Sequence, residues 1–419
     1  IEVQGLEPNR WYFYRFSVNE AQSAVGRTRT LPSPDAKLQS LRLAYASCQR
    51  YEHGYFDAYR HMLAEQCDAV VFLGDYIYEY ANASNPVRSP TGGVARSLSD
   101  YRQRYALYKS DPALQAMHAA CPWLVTWDDH EVENDYFGLN TESSFLARRA
   151  AAYQAFYEHM PLRPQVLPQV LASLAAGAEM RVYGQWQFGQ LAHISLLDSR
   201  QYRNAQVCTR EGKKGSSTFD PNACADWADP RRSLLGQAQE SWLDEQLTRA
   251  GQHLGPQAWT VLAQQSLFGP RVTPTAQGPR FWNDSWDGYV PARQRLLQSL
   301  QKSQAPNPVL LGGDIHENWV GHILADYANE KSKKIGVEFC GTSITSRSGI
   351  GDRAPQLLAA NPHFVYANGL QRGYGVVEFS PKRLSTTLRG VDTSQPGGTR
   401  LETLARFEVE AGRSEIEPV

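Results

Sequence analysis

Nearly every apolar run long enough to form a core strand ends in a side chain able to bind a metal. The run 41–46 leads into Ser47-Cys48-Gln49, and 69–73 leads into Gly74-Asp75-Tyr76-Ile77-Tyr78. The run 122–127 closes on Trp127-Asp128-Asp129-His130-Glu131, with Asn134 close behind. The run 191–197 meets Asp198-Ser199-Arg200, and 309–311 meets Gly312-Gly313-Asp314-Ile315-His316. Each piece has an ordinary explanation on its own. Asp75 suits a helix N-cap, Cys48 a small buried residue, and Tyr78 simple packing. Asp128, Asp129 and His130 are harder to dismiss, because ionisable groups after an apolar strand are costly to bury unless a cation or partners meet them. Asp314 and His316 are spaced to share one face of an extended segment. In open α/β sheets, ligands bind outside the carboxyl ends of the strands. If these strands are neighbours, Cys48, Asp75, Tyr78, Asp128, Asp129, Asn134, Asp314 and His316 converge.

The donor types narrow the metal. A phenol ionises near pH ~10, so phenolate binding at neutral pH calls for a strongly acidic ion. Ferric iron suits Tyr78 and Cys48 better than zinc. The carboxylates and the Asn134 amide are hard oxygen donors that suit calcium, magnesium or manganese. The residues therefore point to one Fe³⁺ beside one or more divalent cations.

The elements that must position these groups follow from periodicity. The strand candidates are the runs above together with 259–263. Helix candidates are 55–66, 100–109, 142–159, 232–249 and 292–300. Strands alternating with helices indicate a layered α/β fold around a mixed sheet. Residues 11–18 and 24–30 are rich in aromatic and β-branched residues, and 32–40 begins as a Pro-rich linker. Residues 1–31 are thus expected to be the tail of a small β domain, 32–40 a linker, and 41–419 the main domain. The chain starts at Ile1 without Met and is read as processed or fragmentary. Residues 205–230 read as a polar loop and 161–168 as a Pro-rich break.

With 419 residues and 42% apolar residues, the chain can bury a large core without staples. A net charge of −1 argues against broad electrostatic binding of nucleic acid. No apolar run approaches the ~20 residues that span a bilayer. None of the six cysteines forms a CxxC pair, which disfavours a thiolate zinc site. Cys208 and Cys224 flank a Gly/Ser/Lys/Asp-rich loop; a disulfide and two free thiols are both open there.

Several ordered stretches resemble PhoD-type alkaline phosphatases/phosphodiesterases, within the calcineurin-like metallophosphatase superfamily. They include ASCQRYEHGYFDAYRHMLAE (46–65), VVFLGDYIYEY (70–80), VTWDDHEVENDY (125–136), LLDSRQYR (196–203), SWDGY (285–289), LLGGDIHENW (310–319) and EFCGTSITS (338–346). Residues 1–31 resemble the end of the family's N-terminal β-sandwich. The resemblance implies a four-layer α/β/β/α metallophosphatase core, export to a secreted, periplasmic or cell-surface location, and one Fe³⁺ with one or two Ca²⁺; Zn²⁺, Mn²⁺ or Mg²⁺ rank as substitutes. Carried over, Cys48, Asp75 and Tyr78 bind iron, and Asp75 bridges to calcium. Asp128, Asn134 and Asp314, with Asp129, are the calcium set, and His316 stands on or beside the iron.

The implied reaction is hydrolysis of phosphate diesters and monoesters by in-line attack of a metal-activated water. His130 and His316 are the candidates for protonating the leaving group. His130 has an alternative role in orienting Asp128 or Asp129. Arg200 suits a phosphate fork, and an Arg–Asp structural pair is the equal alternative. Trp286, Asp287 and Tyr289 are weaker candidates for the pocket. The expected partners are small phosphate esters, with phospholipids as the near alternative; no nucleic-acid complex is expected, and the chain is expected to be monomeric. An inert metal-binding surface protein of the same fold is the alternative of another class.

Overall fold

Among the described residues, the alternating strands and helices assemble into two seven-stranded sheets, a small three-stranded sheet and two hairpins. The computed structural model describes residues 3–138, 140–167, 169–212, 215–397 and 400–419. The N-terminal hairpin pairs β1 (Trp11–Tyr14) with β2 (Gly26–Arg29). The main body runs β3 (Leu41–Ala46), α1 (Ala58–Ala64), β4 (Ala69–Leu73), α2 (Leu98–Lys109), α3 (Pro112–Ala120), β5 (Trp123–Thr126) and α4 (Ser143–His159). It continues through β6 (Gly184–Phe188), β7 (Ala192–Leu196), α5 (Gln237–His253), β8 (Trp259–Ala263), α6 (Val290–Ser303), β9 (Pro308–Gly312), β10 (Asn318–Leu324) and β11 (Lys334–Cys340). It ends with α7 (Ala354–Ala359), β12 (Phe364–Asn368), β13 (Arg372–Phe379), β14 (Arg383–Val391), β15 (Leu401–Glu410) and β16 (Glu417–Pro418).

One sheet has the order β16-β15-β14-β13-β3-β4-β5, and the other β12-β10-β11-β9-β8-β7-β6. Strands β3, β4 and β5 are parallel, as are β7, β8, β9 and β11. Side-chain alternation explains the packing. Leu43, Tyr45, Val71 and Leu73 of the first sheet share an apolar cluster with Ile194, Val261, Val309 and Phe339 of the second. The opposite face of the first sheet, Ala44, Val70 and Phe72, packs against Tyr59, Tyr101 and Phe156 from α1, α2 and α4. Leu262 and Leu310 pack against Leu243, Leu247, Leu296 and Leu297 from α5 and α6. Burial on both faces is why these central strands read as mostly apolar runs, with β4 (AVVFL) unbroken. Each fully buried Val, Leu or Ile contributes about 1.5–3 kcal/mol.

The expected strands at 41–46, 69–73 and 259–263 have the observed bounds, and the other core strands differ by a residue at either end. The helix expected at 232–249 starts later, at Gln237, because Gly236 stands at its N-cap. Helices α3 and α7 and strands β6 and β10–β16 are absent from the sequence reading. The loop at 205–230 is tied by a Cys208–Cys224 disulfide, which resolves the open alternative. Within 161–168 a short 3-10 turn spans Pro164–Val166; residue 168 lies outside the described residues. The N-terminal hairpin is joined to the body by an Arg29–Asp68 ion pair and by Arg27 Nε donating to the Ala120 carbonyl (2.5 Å).

Candidate metal centre

The carboxyl ends of β3, β4 and β5 meet those of β7, β8 and β9 along one edge. Thr126 Oγ1 donates to the Leu197 carbonyl across this seam (3.0 Å), and Gln265 Nε2 donates to the carbonyls of both Trp127 and Leu197 (2.8 Å each). The turn after β3 is tied to the turn after β4: Cys48 N–H donates to Gly74 O and Gln49 N–H to Asp75 O, both at 3.1 Å. Two glycines allow the approach. A Cβ on Gly74 would lie 2.5 Å from the Asp128 nitrogen, and one on Gly313 would lie 2.3 Å from Ser47 Oγ.

The ligand-bearing backbone is unusual. Cys48 (φ 58°), Asp75 (56°), Asp314 (64°) and His316 (60°) are all left-handed. Such a conformation costs a non-glycine residue roughly 1–2 kcal/mol and is typical of sites where surrounding structure overrides local preference.

Three ligand groups share Asp75: Cys48–Asp75–His316, Asp75–Asp128–Asp314 and Asp75–Asp129–His130; within each, the donor atoms lie within 4.8 Å of one another. Tyr78 joins the first. Its hydroxyl donates to Asp75 Oδ2 (2.9 Å) and lies 3.3 Å from His316 Nε2 and 2.8 Å from Ser346 Oγ. His316 Nδ1 sits 2.9 Å from the Arg347 carbonyl, which can only accept, so Nδ1 carries the proton and Nε2 offers a lone pair to the cluster. Asn134 is the predicted ligand with an exposed side chain, fixed through its backbone N–H to Glu79 Oε1 (2.8 Å). Asp129 also belongs to a fourth group with Asp135 and Asp284.

Electrostatics sort the two histidines. Burial opposes charging of His130, but Asp129, Asp75 and Glu79 outweigh it and shift the ring's pKa upward. Its Nδ1 faces Glu79 Oε2 at 2.8 Å, and Nε2 faces the Tyr80 hydroxyl at 3.4 Å. Burial, together with Arg372, pushes His316 down to about 3. Arg200 is spent on carboxylates: it hydrogen-bonds Asp128 through Nε and Asp284 through Nη1 (3.0 Å) and Nη2 (2.7 Å). These contacts are of the Arg–Asp kind, one of the two alternatives open in the sequence. Trp286, Asp287 and Tyr289 each have a hydrogen-bond partner. Trp286 Nε1 donates to Gln264 (3.1 Å), Asp287 pairs with Arg293 (2.7 Å), and Tyr289 donates to the Asn204 carbonyl (2.7 Å).

Residues 43–388 match the family PhoD-like phosphatase, and residues 1–32 match the PhoD-like phosphatase N-terminal domain. Alkaline phosphatase D of Bacillus subtilis (strain 168) is 42% identical over 422 residues, spanning 97% of this chain and 68% of that protein. A solved structure of PhoD superposes with a TM-score of 0.89 at 40% identity, covering 100% of this chain and 79% of that one. The chain belongs to the PhoD-like phosphatase family. It is a phosphoric ester hydrolase with a mixed α/β fold.

The donor set of this PhoD-like phosphatase fits metal ions. Burial, together with mutual repulsion, pushes Asp75, Asp314, the Cys48 thiol and the Tyr78 phenol well above their usual ranges, and Asp128 up to about 6. A cation removes that penalty. Asp128 Oδ2 is fully buried and has no hydrogen-bond partner among the described residues, as expected of an oxygen reserved for a metal. Among the described residues, no helix is long and apolar enough to cross a membrane.

Sequence reasoning passed over Glu79, Glu131, Asp284 and Ser346. Glu79, Glu131 and Ser346 stand inside the quoted motifs and hydrogen-bond candidate ligands: Glu79 the His130 ring and the Asn134 N–H, Glu131 the Asp75 and Asp128 N–H groups, and Ser346 the Tyr78 oxygen. Asp284 immediately precedes SWDGY and comes to the site through Arg200 and Arg203 (2.8 Å).

Proposed function

We propose that this phosphatase hydrolyses phosphate diesters and monoesters at an Fe³⁺–Ca²⁺ centre, with Asp75 shared between the ions. The observation that carries this reading is the membership of Asp75 in both the Cys48–Asp75–His316 and the Asp75–Asp128–Asp314 groups. A soft thiol and a phenol on one side suit ferric iron; two further carboxylates on the other suit calcium. Asn134 and Asp129 complete the proposed calcium set, although the exposed Asn134 amide adds no support of its own. When bound, such ions neutralise phosphoryl oxygens and lower the pKa of an attacking water.

The chain's residues divide the remaining work. His316, held neutral, presents Nε2 as a ligand. His130, braced by Glu79 through Nδ1 (2.8 Å), is the proposed proton donor for the leaving oxygen. Arg200 restrains Asp128 and Asp284, so its role is to hold ligands. We also propose that the two large sheets and their flanking helices are the four-layer α/β/β/α core, that residues 1–31 end a β-sandwich, and that the protein works outside the cytoplasm. The Cys208–Cys224 disulfide supports the last point.

The test is elemental analysis of protein purified without chelator, together with its colour and its hydrolysis of bis-p-nitrophenyl phosphate. About one iron per chain with calcium and diester turnover is the expected result. Zinc, or no metal, without turnover would overturn the mixed-metal reading.

A further inference from the structure

Glu131 closes the run that carries Asp128, Asp129 and His130, yet it belongs to none of the ligand groups. It is buried, and its carboxylate faces backbone. Oε2 accepts the Asp75 N–H (3.1 Å) and the Asp128 N–H (2.8 Å), while Oε1 accepts the Tyr76 N–H (2.5 Å). These groups stand just past the end of the β4–β5 ladder, whose last pair is Leu73↔Thr126. Beyond that pair the ladder supplies no acceptor. A buried N–H without one costs about 1–3 kcal/mol. One carboxylate answers three such groups on two neighbouring turns, and so couples the positions of those turns.

We propose that Glu131 is a positioning residue that sets the separation of Asp75 and Asp128 before any ion arrives. This rests on the reading of Asp75 and Asp128 as metal ligands. The molecule contains its own comparison. Glu338 is also buried and accepts two backbone N–H groups, from Phe268 (2.5 Å) and Gly269 (2.9 Å), but it touches no ligand group. Loss of an acceptor at either glutamate costs stability; only Glu131 connects that loss to the metal centre.

The experiment compares divalent-metal affinity, metal content and kcat/KM for Glu131→Gln and Glu338→Gln. It also follows amide hydrogen exchange in the metal-stripped parent protein. Both variants are expected to melt earlier. Glu131→Gln weakens metal affinity about 10–100-fold, while Glu338→Gln stays within about 3-fold of the parent. In the stripped parent, the Asp75, Tyr76 and Asp128 amides remain as protected as amides in the middle of β4 and β5. Parental affinity in Glu131→Gln, or an equal loss in Glu338→Gln, would overturn the proposal. So would loop-like exchange of those three amides, a measurement that stands even if the variant does not fold. A parent that binds no metal defeats the metal reading itself, whereas a metal-binding parent with an unaffected Glu131→Gln defeats only the role of Glu131.

Discussion

Ser346 has one hydroxyl proton and two close acceptors for it. Its Oγ lies 2.9 Å from the Cys48 carbonyl and 2.8 Å from the Tyr78 oxygen. Once Tyr78 is a phenolate, that oxygen is the stronger acceptor, and a hydrogen bond to it lowers its electron-donating power. On the proposed iron reading, Ser346→Ala is therefore expected to move a phenolate-to-iron absorption band to longer wavelength, and Tyr78→Phe to abolish it; visible spectra of the two variants check this. Glu338 carries a separate pH signature. Burial raises its carboxyl to about 7 against the pull of its two backbone donors. The folded state then holds the proton more tightly than the unfolded state. That increment of stability is fully present below about pH 4.5 and is lost as pH rises through about 7, at most about 3 kcal/mol. Glu338→Gln should flatten the fall in melting temperature between those limits, as measured by calorimetry across pH; an unchanged slope would assign the pH dependence to other groups.

At the level of elements, the centre depends on how closely the strand ends approach. Gly74 has φ +99°, and a methyl there would meet the backbone nitrogen and Cβ of Asp128 at 2.5 and 2.6 Å. Gly74→Ala combines backbone strain with a steric clash, so a loss of about 3 kcal/mol or more and of metal binding is expected. Gly255→Ala meets nothing within 4 Å and serves as the neutral comparison in thermal melts. The same elements show what the sequence could and could not reveal. Strands β3, β4 and β8 are buried on nearly every side chain, so predominantly apolar runs, interrupted only by Arg42 and Thr260, marked them. Strand β14, RLSTTLRGV, buries Leu384, Thr386 and Leu388 between exposed or half-buried neighbours, a pattern that reads as polar unless followed at period two. The aspartates were legible because they end strands. Glu131 was not, because accepting backbone N–H groups demands no distinctive neighbour in sequence.

Across the whole molecule, a loop distant in sequence helps to frame the centre. The Cys208–Cys224 disulfide closes a segment in which Ser216 donates to Asp135 Oδ2 through N–H (2.9 Å) and Oγ (2.8 Å), and Ser217 N–H donates to Asn283 (2.7 Å). Asp135 belongs to the acidic group with Asp129 and Asp284. Replacing both cysteines by serine is expected to cost about 2–4 kcal/mol and to expose the loop to proteolysis, with diester turnover at low temperature largely retained. Melting curves and limited digestion with and without reductant test this. A melting point indifferent to reductant would show that the loop's own contacts suffice.

The left-handed turns also constrain how this centre can adapt. If Cys48, Asp75, Asp314 and His316 are ligands as proposed, a substitution there passes two filters: the new side chain must bind a cation, and its backbone must tolerate φ near 60°. Asn, Asp and His meet both demands, whereas β-branched residues fail the second. Tyr78 and Asp128 are free of positive φ and face only the first filter. Lineages or laboratory selections that shift metal preference are therefore expected to vary first at Tyr78 and Asp128, and to exchange the other four among a very short alphabet.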